Sequence, residues 1–198
     1  MYYVDYKKVR NKTWEVLLNC KINSLPVNLA AVAIQYDIKI IPYSSTSFVH
    51  ALKQEALSGD GFSANVKDKK IIFINDRISN NSRRRFTLAH ELGHCILGHP
   101  LDNIQFRTNE FYDSKYALEA EANVFARDLL MPAVVLAKMD IHNVDEIVKL
   151  CKVSNQSATI RAKRLEKLSE RNMFCTYPHE KAVAEQFKEY VEKFKINF

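Results

Sequence analysis

His90, Glu91 and His94 form the pattern H-E-x-x-H, whose residue types and spacing suit metal-dependent hydrolysis. On a helix, residues four apart project from one face on successive turns, so His90 and His94 could hold one metal ion from the same side. Glu91 would then lie beside that ion, within reach of a bound water. This pattern is typical of zinc peptidases.

An apolar stripe along the same segment indicates that this helix is buried. The stripe comprises Leu88, Ala89, Leu92, Ile96 and Leu97. Such a stripe is expected of a helix packed against a protein core. Burying two histidines and a glutamate without partners would be costly, and a metal ion would relieve that cost. We therefore favour a metal site over unrelated surface or core histidines.

A catalytic zinc usually takes three protein ligands, so a third ligand is expected outside the motif. His99 is the nearest candidate. In the pattern H-E-x-x-H-x-x-G-x-x-H the last histidine lies six residues after the second, whereas His99 lies five after His94. We therefore reject His99 as a ligand and expect it at the helix end, where a positive charge would suit the helix dipole.

A second predicted helix, with the sequence LEAEANVFARDLLMP, offers a carboxylate instead. Glu119, Ala122, Asn123 and Ala126 share a face of small residues that would allow close packing on another helix. Glu119 could complete a His-His-Glu site, and Asn123 could bind the outer nitrogen of a zinc histidine. The spacing favours Glu119 over Glu121 without excluding the latter, which we expect to be a solvated or auxiliary acid.

The blocks RFTLAHELGH and EAEANVFARDLLMP together resemble the ImmA/IrrE family of metallopeptidases. A looser similarity extends over residues 25–168. The resemblance implies a small gluzincin in which two helices carry the ligands beside a short sheet, with Glu119 as the third ligand. It also implies an intracellular endopeptidase of the phage or mobile-element anti-repressor type, which cleaves a helix-turn-helix transcriptional repressor.

One zinc ion is the expected cofactor, because histidine and carboxylate ligands favour zinc, with manganese less suited. Glu91 is the predicted general base, which takes a proton from the attacking water and passes it to the leaving amine. A further donor is expected for the tetrahedral oxyanion. Tyr112, Tyr116 and His142 are candidates for that donor, and nothing in the sequence selects among them.

Residues 145–168 suggest an alternative function, because they resemble a helix-turn-helix. The second helix would carry Arg161, Lys163 and Arg164, as a DNA-reading helix often does. We favour two packed helices that support the catalytic region, since the segment lies within the family resemblance. The alternative is a DNA-binding or repressor-binding regulator that has a zinc site but little proteolysis.

Composition is ordinary for a soluble globular protein, with 198 residues, 47% hydrophobic residues and a net charge of +6. The N-terminus lacks the order of a signal peptide, and no apolar run approaches membrane-spanning length. We therefore expect a cytoplasmic protein without a membrane partner. The four cysteines form no C-x-x-C pair, so we expect free thiols and no cysteine zinc site.

Hydrophobic periodicity predicts an α+β fold: a mostly helical zincin-like core with a sheet of about three strands, and a C-terminal helical region. The core is expected over residues 1–132, and the helical region over 133–198 packed on it. A polar edge strand over 61–66 is expected to pair with an apolar strand over 71–75. Its edge could bind an extended peptide or could be protected without a ligand, and the sequence favours neither. The predicted helices span residues 6–20, 26–35, 45–57, 79–97, 114–131, 145–151, 156–170 and 178–195, and a further strand spans 37–43.

Overall fold

A computed structural model describes residues 4–45, 59–103 and 112–196, with the backbone alone for 102–103 and 112–115. The helix predicted over 45–57 therefore falls almost wholly outside the described residues. The chain forms two compact units. Met1–Val9 and Leu29–Ala126 make the first, and Arg10–Asn28 and Arg127–Phe198 make the second. The division predicted at residue 132 stays a prediction.

The predicted α+β fold is confirmed, since helices predominate and the strands form one small mixed sheet. The strands are β1 (Lys39–Pro42), β2 (Gly61–Val66), β3 (Lys69–Ile74) and β4 (Asp102–Asn103). The helices are α1 (Tyr6–Asn19), α2 (Leu29–Gln35), α3 (Asn81–Leu97), α4 (Tyr112–Leu130), α5 (Ala133–Lys138), α6 (Val144–Cys151), α7 (Asn155–Glu170), α8 (Pro178–Gln186) and α9 (Lys188–Ile196).

The sheet has the strand order β1-β3-β2-β4. β1 is parallel to β3, with Lys39 opposite Ile71, and β2 is antiparallel to β3, as the predicted hairpin requires. The apolar strand β3 is central, which explains its continuous hydrophobic run. The edge predicted at β2 is only partly free, because β4 pairs with it in parallel at Ala64 and Asn65.

The signature helix α3 lies against this sheet. A Cβ atom added to Gly61 in β2 would come within 3.0 Å of Thr87 Cγ2 in α3 and within 2.9 Å of the Phe73 carbonyl oxygen. Lys70 in β3 donates from Nζ to the Cys95 carbonyl oxygen at 2.7 Å. Close packing at Gly61 and this hydrogen bond together fix α3 on the sheet.

Two predicted helix boundaries are wrong. The helix expected from Pro26 begins at Leu29, and the helix expected from Pro178 divides at Phe187 into α8 and α9. The second break escaped prediction because apolar residues continue at helical spacing across it.

No helix in the described part of the chain is long and apolar enough to cross a membrane. All four cysteines are free, as predicted, and Cys95 and Cys151 are buried.

Candidate metal centre

Helix α3 carries the H-E-x-x-H motif between two well-defined ends. The Asn80 side chain caps the N-terminus by accepting a hydrogen bond from the Arg83 backbone N–H at 3.0 Å. Gly98 ends the helix in the left-handed conformation, at φ 76°, which glycine adopts without a steric penalty. The rigid helix between these caps holds His90 and His94 on one face, as their spacing predicts.

Helix α4 approaches α3 at the single glycine of the motif. A Cβ atom added to Gly93 would lie 3.3 Å from Ala122 Cα and 3.1 Å from Phe125 Cδ1. Small residues at both positions therefore allow the two helices to pack closely. The small-residue face predicted for α4 fits this contact.

The close approach brings one carboxylate to both motif histidines. His90 Nε2 lies 3.1 Å from Glu119 Oε2, and His94 Nε2 lies 3.5 Å from Glu119 Oε1. The two Nε2 atoms are 3.0 Å apart. One ligand atom from each of the three residues lies within 4.8 Å of the others, so together they could hold one metal ion.

The electrostatics of this cluster favour positive charge at its centre. The close contacts with His90 and His94 hold the pKa of the Glu119 carboxyl far below its usual range. Burial lowers the pKa of His90, but the contact with Glu119 and the charges of Glu91 and Glu119 outweigh it and raise that pKa overall. A divalent cation at this cluster would be stabilised by the same negative charges that otherwise raise the pKa of His90.

Asn123 binds the outer nitrogen of His90, in the position predicted for it. Its Oδ1 atom lies 3.0 Å from His90 Nδ1. An amide oxygen only accepts hydrogen bonds, so His90 carries a proton on Nδ1 and can present the lone pair of Nε2 towards Glu119. Two imidazole nitrogens and a carboxylate then converge, and this donor set fits a divalent metal.

His99 lies just beyond the end of α3, as expected, and contacts both His94 and Glu121. His99 Nδ1 lies 3.0 Å from His94 Nδ1, and His99 Nε2 lies 3.2 Å from Glu121 Oε2. Burial and the neighbouring His94 lower the pKa of His99 and outweigh the contact with Glu121. The Glu121 side chain is only 17% exposed, which contradicts the expectation of a solvated acid but fits the alternative of an auxiliary acid.

A family model for the IrrE N-terminal-like domain of M78 peptidases matches residues 36–163. The chain belongs to the M78 peptidase family. It is also similar to the "Uncharacterized immunity region protein 2" of Bacillus phage phi105, with 34% identity over 126 residues that cover 59% of this chain and 77% of the relative. The resemblance to ImmA/IrrE metallopeptidases is thereby confirmed. M78 peptidases are metal-dependent, in agreement with the cluster on α3 and α4.

Glu91, the predicted base of this M78 peptidase, is only 8% exposed. Burial, together with the charges of Glu91 and Asp60, raises the pKa of Tyr43 to about 12. The buried Tyr43 hydroxyl has no hydrogen-bond partner within the described ranges. Sequence reasoning missed this neighbour of the site, because Tyr43 looked only like the end of a strand.

The three candidates for the oxyanion donor stay unresolved in this M78 member. Tyr116 is 80% exposed on α4, and the side chain of Tyr112 is not described. His142 belongs to the second unit, where its Nε2 atom lies 2.9 Å from Asp140 Oδ1. Their roles as oxyanion donors stay predictions.

The segment that resembles a helix-turn-helix comprises α6 and α7. The turn between them contains Lys152 in the left-handed conformation, and Ser154 caps α7. Arg161 is only 1% exposed and donates to Asp128 Oδ1 at 2.5 Å and to the Arg127 carbonyl oxygen at 3.0 Å. A buried and paired Arg161 supports the interpretation of α6 and α7 as packed helices.

Proposed function

We propose that this M78 peptidase is a zinc-dependent endopeptidase whose metal ligands are His90, His94 and Glu119. The proposal is carried by the convergence of their three ligand atoms beside the buried Glu91. Two imidazoles and one carboxylate make a donor set that suits catalytic zinc better than manganese, and a water molecule would complete the coordination.

Glu91 acts as the general base and then as the general acid in this proposal. When bound, zinc would supply Lewis acidity towards a peptide carbonyl and would lower the pKa of water towards about 7. Glu91 takes the proton of the attacking water and returns it to the leaving amine. Asn123 keeps His90 in its orientation, because its side-chain oxygen accepts from the outer nitrogen of that ring.

The proposed substrate is a transcriptional repressor of the helix-turn-helix class, cleaved inside the cell. Membership of the M78 family supports a peptidase, and the resemblance to ImmA/IrrE proteins points to a repressor as the target. The phage relative that is named for an immunity region supports a role of the same kind. Cleavage of the repressor would release its operator and switch on the genes that it controls.

The experiment compares the wild-type protein with the Glu91→Gln variant on the repressor encoded beside it. Fragments are followed by mass spectrometry, and bound metal is measured on the same samples. We expect the variant to retain zinc but to lose cleavage, because glutamine cannot accept the proton. Glu185→Gln serves as the matched control, since Glu185 is exposed on α8. Undiminished cleavage by the Glu91→Gln protein would contradict the mechanism.

A repressor-binding role without proteolysis is the alternative outcome of the same experiment. In that case wild type and Glu91→Gln would both release the repressor from operator DNA, and no fragments would form. DNA binding by this chain itself is less favoured, because Arg161 lies buried against Asp128. Sequence-specific DNA binding with a steep salt dependence would revive it.

A further inference from the structure

We propose that His99 and Glu121 are positioning residues that hold His94 in the tautomer able to bind a metal. The proposal rests on the metal site proposed above. It goes beyond that site because neither residue belongs to the group of three whose ligand atoms converge. Both act through the outer nitrogen of His94, which lies 3.0 Å from His99 Nδ1.

Glu121 determines which nitrogen of His99 carries a proton. Its Oε1 atom accepts a hydrogen bond from the Asp5 backbone N–H at 3.2 Å, and its Oε2 atom lies 3.2 Å from His99 Nε2. A carboxylate can only accept, so the proton in the second contact belongs to His99 Nε2. In the neutral ring, Nδ1 of His99 is then left as an acceptor.

The contact between His99 and His94 determines, in turn, which nitrogen of His94 carries a proton. Because His99 Nδ1 accepts, His94 must donate from its own Nδ1, and its Nε2 atom keeps a free lone pair. That lone pair lies on the side of His90 Nε2 and Glu119. The opposite arrangement would place a proton on His94 Nε2, where it would compete with the metal.

The turn at the end of α3 explains why His99 can reach His94. Gly98 adopts φ 76°, and the backbone N–H of His99 donates to the His94 carbonyl oxygen at 3.1 Å. The two rings then meet edge to face, with centroids 5.0 Å apart. The His99 side chain is only 4% exposed, so bulk water does not replace it as the partner of His94.

Each motif histidine therefore has a separate partner on its outer nitrogen. His90 uses the amide oxygen of Asn123, whereas His94 uses the imidazole of His99, which the Glu121 carboxylate orients in turn. Partners of this kind fix the orientation of ligand histidines and raise their basicity, and their loss costs about 10–100-fold in metal affinity.

The first test measures the Zn²⁺ dissociation constant of the full chain by competition with a chelator. We expect His99→Leu and Glu121→Leu to weaken zinc binding by about 10–100-fold. His99→Asn should restore most of the affinity, because its side-chain oxygen can accept from His94 Nδ1. His179→Leu is the matched control, since His179 is an exposed histidine on α8.

Wild-type affinity in both leucine variants would overturn the proposal. If His99→Leu does not fold, as judged by circular dichroism, Glu121→Leu decides the matter because it leaves the histidine in place. Equal losses in His99→Leu and His99→Asn would also overturn it, because simple disturbance of packing would then explain both.

The second test reads the tautomers directly by ¹⁵N NMR of the histidine rings in the zinc-loaded protein. We expect the proton on Nε2 of His99 and on Nδ1 of His94, and a loss of the His99 preference in Glu121→Leu. A proton on Nδ1 of His99 in the wild-type protein would refute the proposal. Neither test requires proteolysis, so tight zinc binding without any cleavage would refute the proposed enzyme alone.

Discussion

Gly93→Ala should strain the contact that brings Glu119 to the motif histidines. The added Cβ atom would lie 3.1 Å from Phe125 Cδ1 and 3.3 Å from both Ala122 Cα and Phe125 Cβ. Unstrained carbon atoms lie about 3.5–4.0 Å apart, so α3 and α4 must separate by a few tenths of an ångström. The Ala122 backbone cannot move aside as a flexible side chain could.

Two opposing effects set the size of the loss in stability. Overpacking of a buried contact costs about 1–3 kcal/mol. Replacing a glycine by alanine within a helix returns about 1 kcal/mol, because glycine is the poorer helix former. We therefore expect a net loss of about 1 kcal/mol for Gly93→Ala, which for a chain of this size lowers the melting temperature by roughly 2–4 °C.

Zinc affinity and thermal unfolding should be measured together on Gly93→Ala. A separation of α3 from α4 moves Glu119 away from His90 and His94, so the affinity should fall although no ligand has changed. Gly59→Ala is the control, because its added Cβ would meet nothing closer than 3.7 Å. A Gly93→Ala protein with wild-type stability and affinity would refute the reasoning from helix approach.

Two further predictions concern polar pairs. Asp128→Asn should cost about 3–5 kcal/mol in denaturant unfolding, because the buried Arg161 loses its counter-charge. Burial alone would raise the pKa of Asp128, but Arg161 and Arg127 hold that pKa below its usual value. The ionised Asp128 therefore stabilises the folded protein above about pH 4, and this stabilisation is lost as the pH falls further. The Asp128→Asn variant should lack this pH-dependent stabilisation. An equal acid sensitivity of both proteins would contradict this. Asn123→Ala removes the partner of His90 Nδ1 and should weaken zinc binding about tenfold in chelator competition, and unchanged affinity would argue against that role.

Helical periodicity predicted the part of the site that lies on α3. His90 and His94 share a face because four residues make about one turn, and that relation needs no knowledge of the tertiary fold. The sequence also limited the choice of a third ligand, through the small-residue face around Glu119. The preference for Glu119 over Glu121 became firm only through the family resemblance. The approach at Gly93 shows the packing that brings Glu119 within reach.

Tertiary relations account for the features that were missed. β2 was expected to be an edge strand, but β4 comes from a distant part of the chain and pairs with Ala64 and Asn65. Tyr43 is brought near Glu91 by packing of the sheet on α3, which no local pattern encodes. Arg161 was a candidate for contact with DNA because the sequence shows its charge but not its burial against Asp128.

The outer partners of the two histidines show where reasoning from periodicity ends. Asn123 was predictable, because it lies one turn after Glu119 on the same helix and therefore faces the same site. The position of His99 was not predictable in this way. His99 follows Gly98, where the left-handed turn ends the helix and brings the His99 ring into contact with His94. Spacing argued against His99 as a metal ligand, but spacing could not show its contact with His94. For a residue beyond the end of a helix, such a role can be inferred only from the donors and acceptors that surround its side chain.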